Sequence, residues 1–286
     1  MGNIKIFVDT AADIKEDVAK EKGIGIIRFL SVFGEETYVT GTELSNEEFY
    51  KKLEEFGDIP KTAQTPYADL LDTLSEAAKE YDTVIYFSIS SKASGQFNTA
   101  NMIVNEIKEE NPDADVRIVD TQSFSAFIAR GALVAADLAA EGKSVDEIID
   151  AAKAEIASWQ AYILVDSLGY LEKGGRINKA SAILGTLLDI KPVLTVNNGL
   201  IEPLEKLRGK KKVFKKLVEL IGENPDFDQD KKEFLVVQSN RDYGDQTIEA
   251  IKDEFSVDIL EEYEVGPIVG THIGPGTLAI LFRVKK

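Results

Sequence analysis

Short apolar runs, each followed by a polar turn and a helix-length segment, recur through the first half of the chain, and this alternation restricts the fold more than any other feature. Ile4-Lys5-Ile6-Phe7-Val8 reads as a first buried strand, Asp9-Thr10-Ala11-Ala12-Asp13 as the turn after it, and a charged helical run extends to about Lys22. A second strand is expected within Ile24 to Phe33. Ser45 and Glu48 form a capping-box pattern ahead of Phe49, Leu53 and Phe56. Pro66 stands near the start of a helix running to Tyr81, where a missing N–H costs nothing. Thr83 to Ser88 reads as the next strand and leads through Ser90-Ser91-Lys92-Ala93-Ser94-Gly95 into a helix ending near Asn111-Pro112. Val116 to Thr121 is another strand, succeeded by an alanine-rich helix through Leu138. Such alternation predicts a mostly parallel sheet with helices on both faces.

The pattern changes after a helix over Val145 to Ala157 and a strand over Tyr162 to Val165. Asn197-Asn198-Gly199 marks a tight turn between Pro192 to Val196 and Leu200 to Glu202, which makes an antiparallel hairpin. The expectation is therefore an N-terminal α/β domain with a mostly parallel sheet and flanking helices, 1–160, and a C-terminal mixed-sheet α/β domain, 161–286. No linker-like composition marks the boundary.

The 50 acidic and 33 basic side chains leave a formal charge of −17, which opposes attachment to nucleic acid or to an anionic membrane surface. With no cysteine and a single histidine, disulfides, thiol catalysis, cysteine-based metal sites and two-histidine zinc motifs are excluded. No metal is expected. The N-terminal residues lack a signal-peptide pattern, and no run approaches the roughly 18 apolar residues of a membrane helix, so the expected location is the cytoplasm. Gly142-Lys143-Ser144 resembles the end of a P-loop, but Asp137 stands where the first glycine belongs. No Gly-x-Ser-x-Gly elbow supports serine hydrolysis.

Three segments suggest anion chemistry. The only histidine, His272, lies among glycines and prolines in Gly266-Pro267-Ile268-Val269-Gly270-Thr271-His272-Ile273-Gly274-Pro275-Gly276, a setting more loop-like than core-like. Arg176 follows Lys173-Gly174-Gly175, and Arg208 precedes Gly209; either arginine is a candidate for carboxylate or phosphate recognition or for a surface ion pair. Arg208 falls in the basic run Lys206 to Lys216, most of which reads as a solvated helix face. Ser94-Gly95 follows a strand and opens a helix, where N–H groups and the helix dipole can hold an anion, or where Ser94 is simply a cap. Thr62-Ala63-Gln64-Thr65-Pro66 reads first as a capped helix entrance. Asp9 and Asp13 read as capping residues rather than metal ligands, because no calcium-loop spacing accompanies them.

Taken in order, these segments resemble the DegV family of bacterial fatty-acid-binding proteins. Asp9-Thr10-Ala11-Ala12-Asp13 is similar to the family's opening motif, Lys61-Thr62-Ala63-Gln64 to its Lys-Thr-Ser-Gln-Pro segment, and Ser90-Ser91-Lys92-Ala93-Ser94-Gly95-Gln96-Phe97 to its Ser-Ser-x-Leu-Ser-Gly-Thr-Tyr run. Asp120-Thr121, Lys173 to Ile177, Ile190-Lys191-Pro192, Lys206 to Gly209 and Gly270 to Gly276 occur in the family order. The chain departs from the family pattern at Ala63, Thr65 and Gln96.

The resemblance implies a binding subunit rather than an enzyme. A long-chain fatty acid would lie in an apolar tunnel, with its carboxylate held by Thr62, Ser94 and Gly95 at the domain junction. Arg176, Arg208 and His272 would face a separate fatty acid kinase catalytic subunit that brings ATP and magnesium, and the acyl phosphate would pass toward phospholipid synthesis. Apart from the bound fatty acid, no cofactor is implied, and membrane contact would be transient. Ile183, Leu184, Leu187 and Leu188 are candidates for the tunnel wall or for ordinary helix packing. The competing reading is an enzyme acting on a small phosphorylated or carboxylated metabolite, with His272 as acid or base and the two arginines as clamps.

Overall fold

Strand β1 (Ile4–Asp9) turns Ile6 and Val8 to one apolar cluster and Phe7 to another, as a strand between two layers must. The structure is a computed structural model that describes residues 3–177, 190–208, 213–239 and 241–285. After β1 comes a single 3-10 turn (Thr10–Ala12), then helix α1 (Glu16–Glu21) and strand β2 (Gly25–Ile27), which pairs parallel with β1.

The run Ile24 to Phe33 is not one strand, contrary to expectation. It leaves the parallel sheet at Arg28-Phe29 and restarts as β3 (Leu30–Phe33), which forms a separate antiparallel sheet with β4 (Glu36–Val39) and β5 (Lys61–Ala63). At the break, the Phe29 N–H donates to Thr10 Oγ1, and Arg28 donates to the Thr40 carbonyl while pairing with Glu16. These side chains take over bonds that a continuous ladder would make.

Helix α2 (Asn46–Phe56) carries the expected capping box, with Ser45 accepting from the Glu48 N–H and the Glu48 carboxylate accepting from the Ser45 N–H. Its buried face, Phe49 and Leu53, packs on Phe33 of β3 and Leu44. Helix α3 (Tyr67–Glu80) begins directly after Pro66. Strand β6 (Thr83–Ser88) pairs parallel with β1, helix α4 (Gln96–Glu110) follows, and β7 (Asp115–Asp120) pairs parallel with β6. The first sheet thus has the order β2-β1-β6-β7 and is wholly parallel, with α3 and α4 on the face formed by Phe7, Val84 and Tyr86.

Helix α5 (Ala126–Ala140) lies against the other face, and α6 (Val145–Ala157) packs on it. Gly131 permits that approach, because a Cβ there would meet Ile156 Cδ1 at 2.7 Å. Strand β8 (Trp159–Leu164) enters the second sheet, followed by the short helix α7 (Gly169–Gly174) and the hairpin of β9 (Ile190–Asn197) and β10 (Leu200–Arg208). The turn residues Asn198 and Gly199 have φ of 48° and 78°, the left-handed pair that the Asn-Gly signal predicts.

The chain then runs through α8 (Val213–Gly222), β11 (Glu233–Gln238), α9 (Arg241–Glu254), β12 (Ile259–Glu264), α10 (Pro267–Ile273) and β13 (Leu278–Arg283). The order β10-β9-β8-β13-β11-β12 places the last strand at the centre, antiparallel to β8 and β11, while β12 runs parallel to β11. The second sheet is therefore mixed. Its strands divide their side chains evenly: Ala161, Ile163, Leu235, Val237, Ala279 and Leu281 join the cluster of β1, β6 and α5, whereas Tyr162, Leu164, Phe234, Val236, Ile280 and Phe282 pack beneath α8 and α9. One apolar cluster thereby joins the two sheets.

Two further expectations change. Lys206 and Arg208 belong to β10, paired with Pro192 and Ile190, rather than to a helix face, because the β9 ladder continues to them. The Gly/Pro-rich segment around His272 is not a loop but helix α10. Pro267 begins the helix, and Gly270 serves close packing, since a Cβ there would meet Tyr50 Oη at 2.7 Å and Phe49 Cε1 at 2.9 Å. Among the described residues no helix is long and apolar enough to cross a membrane.

Candidate functional site

A pocket of about 370 Å³ opens where the first sheet's loops, β5, the β9–β10 turn and α10 converge. Its apolar wall includes Phe29, Ile89, Phe124, Ile201, Ile268 and Ile273, and its polar groups are Thr62, Gln64, Ser94, Arg176 and His272, with the backbone of Gly95. Thr62 arrives on β5, held in register opposite Ser31 of β3. Ser94 and Gly95 end the loop after β6, so the positive end of the α4 dipole borders the pocket. Gly95 is the N-cap of α4, and the Ser94 hydroxyl one residue earlier accepts from the Gln96 N–H at 3.2 Å.

His272 enters from α10, 210 residues away from Thr62, and its Nε2 lies 3.0 Å from Thr62 Oγ1. Burial, reinforced by the nearby positive charge of Arg176, pushes the imidazole pKa down to about 4. His272 is therefore neutral near pH 7, and its Nδ1 has no hydrogen-bond partner among the described residues. Gly174 allows this placement: a Cβ there would stand 2.6 Å from Nδ1. Arg176 is fixed by backbone carbonyls, donating from Nε to Ala93 at 3.2 Å and from Nη1 to Gly174. Among the described residues no carboxylate pairs with it, so its charge remains available to an anion in the pocket.

The structure thus brings Thr62, Ser94, Gly95, Arg176 and His272 together around one pocket. Arg208 is placed elsewhere. It is exposed at the far end of β10, seven residues beyond Ile201, or about 20 Å at the rise of an extended strand. Ile183, Leu184, Leu187 and Leu188 lie outside the described residues. Among the described residues there is no cluster of three or more His, Asp or Glu suited to a metal ion.

Two of the three departures from the family pattern touch each other. Gln96 is fully buried, and its Nε2 donates to Thr65 Oγ1 at 3.3 Å, while Thr65 donates to the Arg28 carbonyl at 2.9 Å. The pair ties the start of α4 to the segment after β5, just behind Gln64 and Gly95. Sequence reasoning also missed the hairpin's part in the site: Ser90 Oγ donates to the Gly199 carbonyl at 2.9 Å, which seats Gly199, Leu200 and Ile201 against the pocket. The turn signal located the hairpin but contained nothing about what it docks on.

The model of the family described as "Uncharacterised protein, DegV family" matches residues 3–285. A DegV domain-containing protein of Clostridium acetobutylicum is 32% identical over 285 residues, covering 99% of this chain and 98% of the relative. Among solved structures, the fatty acid binding DegV family protein of Streptococcus agalactiae superposes with a TM-score of 0.86 at 29% identity, covering 100% of both chains. DegV of Bacillus subtilis, described as a fatty acid binding protein, gives 0.84 at 31% identity, again over 100% of both chains.

Proposed function

The chain belongs to the DegV family, and we propose that its pocket holds a long-chain fatty acid, with the carboxylate at the Thr62, Ser94 and Gly95 end. The observation that carries this reading is the division of the pocket wall, in which large apolar side chains meet one group of hydroxyls, an α-helix N-terminus and an arginine that has no carboxylate partner among the described residues. A tail gains roughly 0.8 kcal/mol per buried methylene, so ten methylenes contribute roughly 8 kcal/mol, whereas the carboxylate tolerates burial only with donors around it. The two parts of the pocket answer those two requirements.

The acid is held for use by another protein. A separate fatty acid kinase brings ATP and magnesium; a carboxylate oxygen of the bound acid attacks the γ-phosphorus, the bond to ADP breaks, and the acyl phosphate stays with this chain for delivery to phospholipid synthesis. Arg176 offsets the growing negative charge beside the pocket, neutral His272 orients the Thr62 hydroxyl, and Arg208 contributes from the exposed surface to the kinase contact. Residues 1–160 and 161–286 act as two domains with the head group at their junction. The protein works in the cytoplasm, and contact with membranes is brief because the net charge of −17 opposes retention on anionic lipid. The metabolite-enzyme alternative is disfavoured by the imidazole pKa of about 4, too low for an effective general base near neutrality.

The test is native purification, solvent extraction and mass spectrometry of the retained molecule, followed by uptake of oleate by the delipidated protein. A stoichiometric fatty acid is the expected result. An empty protein that also fails to bind added oleate would refute the reading, and turnover of a small metabolite without a partner would favour the enzyme.

A further inference from the structure

None of the residues of the turn Asp9 to Asp13 lines the pocket, yet the segments that carry Phe29, Ile89, Phe124 and the helix of His272 are each tied to that turn. Asp9 is completely buried, and its Oδ2 accepts from the Ile89 N–H at 2.8 Å and from the Tyr86 hydroxyl at 2.9 Å, while its Oδ1 accepts from the Ala11 N–H. This fixes the start of the loop that presents Ser94 and Gly95. Thr10 Oγ1 accepts from the Phe29 N–H at 3.1 Å and is 3.0 Å from Thr40 Oγ1, which positions Phe29. Asp13 Oδ1 accepts from the Gly266 N–H at 2.9 Å, immediately ahead of the helix that carries His272, and its Oδ2 accepts from Ser125 Oγ. Ser125 also donates its N–H to the Ala11 carbonyl at 2.6 Å, beside Phe124.

Two backbone conformations accompany these ties. Ser125 adopts φ 54° and ψ −141°, and Asp13 adopts φ 52°, both unusual for residues with a side chain. The turn geometry brings the two carboxylates under three distant chain segments, those of Ile89, Ser125 and Gly266. Capping alone accounts for the bond from Asp9 to Ala11 but for none of the bonds to Ile89, Gly266 or Ser125.

We propose that Asp9, Thr10 and Asp13 are positioning residues for the ligand pocket: acting through Ile89, Phe29, Ser125 and Gly266, they hold its walls at the spacing that retains a fatty acid. The role rests on the fatty-acid reading for its ligand but not for its geometry, and the single histidine of the chain allows the two to be separated. His272 yields one set of imidazole resonances, and its titration reports whether α10 remains packed beside Arg176.

The experiment compares Asp13→Ala with Asp13→Asn in the full chain, measuring the His272 titration by NMR without ligand and the dissociation of oleate. An amide oxygen still accepts from Gly266 and an amide N–H still reaches Ser125, so Asp13→Asn should behave as the parent. Asp13→Ala removes both acceptors and should raise the His272 pKa from about 4 toward its ordinary 6.5 and release oleate about tenfold faster. A folded Asp13→Ala protein with unchanged His272 titration and oleate release would overturn the proposal. If the parent binds no oleate, the proposed function fails and the His272 shift alone decides the positioning role. If Asp13→Ala does not fold, Thr10→Val decides by the same two readings, since it deletes only the hydroxyl that holds Phe29.

Discussion

Replacing Asp13 with asparagine should change how stability depends on pH between mild acid and neutrality. Asp13 is buried, and loss of hydration raises its pKa from 3.8 to about 7 against the opposing bonds from Ser125 and Gly266, with the charge of Asp9 adding to the rise. The folded state therefore binds a proton more tightly than the unfolded state. Stability from this group is fully present below pH 3.8, declines as pH rises, and reaches its lowest level above pH 7. At about 1.4 kcal/mol per pH unit the full difference is about 4 kcal/mol, of which about 3 kcal/mol falls between pH 4.5 and 7.5. Asparagine cannot ionise, keeps an acceptor for Gly266 and a donor for Ser125, and so removes the decline without removing the contacts. Urea unfolding of parent and variant at pH 4.5 and 7.5 isolates the effect, because all other titrating groups are common to both. The variant should gain about 3 kcal/mol on the parent between the two pH values. Parallel stability curves would refute the claim that burial raises the Asp13 pKa to about 7 in the folded state.

His272 titrates in the opposite sense: its folded pKa of about 4 lies below the ordinary 6.5, so its share of stability is complete above pH 6.5 and about 3 kcal/mol is lost as pH falls through 4. His272→Gln should therefore unfold less readily than the parent in acid relative to neutral pH, as acid titration followed by circular dichroism would record. Thr62→Val and Ser94→Ala should each weaken oleate binding about tenfold by removing a donor to a carboxylate, measurable by calorimetry on folded proteins. Gly174→Ala puts a Cβ 2.6 Å from His272 Nδ1 and should displace the imidazole resonances while far-ultraviolet circular dichroism stays unchanged. Arg176→Ala should retain oleate but slow its phosphorylation in the presence of the kinase; equal loss of both would show that Arg176 serves the head group itself.

The alternation of strands and helices, the Ser45 and Glu48 capping box and the Asn198-Gly199 turn were legible in the sequence because each depends on residues within a few positions of one another. Hydrophobic period, cap chemistry and left-handed turn geometry are local, and the helix over Val145–Ala157 followed from them residue for residue. The parts that failed depend on what a segment packs against. Ile24 to Phe33 has the composition of one strand, but the bond from Phe29 to Thr10 divides it between two sheets. Glycine and proline around His272 suggested a loop, but in α10 Gly270 is a contact surface for Phe49 and Tyr50, and sequence does not distinguish glycine used for turning from glycine used for packing.

Several site residues were visible as motifs, but their assembly was not. Thr62 and His272 are 210 positions apart, and only the insertion of β13 between β8 and β11 and the shared apolar cluster of the two sheets bring α10 over β5. Asp9 and Asp13 looked like helix caps because their short-range partners are the ones spacing can reveal; their bonds to Ile89, Ser125 and Gly266 span 80, 112 and 253 positions. By itself the sequence determined the elements and the chemical groups available to a ligand. Tertiary structure decided which of those groups share a pocket, because burial and hydrogen-bond closure between distant segments are properties of the whole packed chain rather than of any window along it.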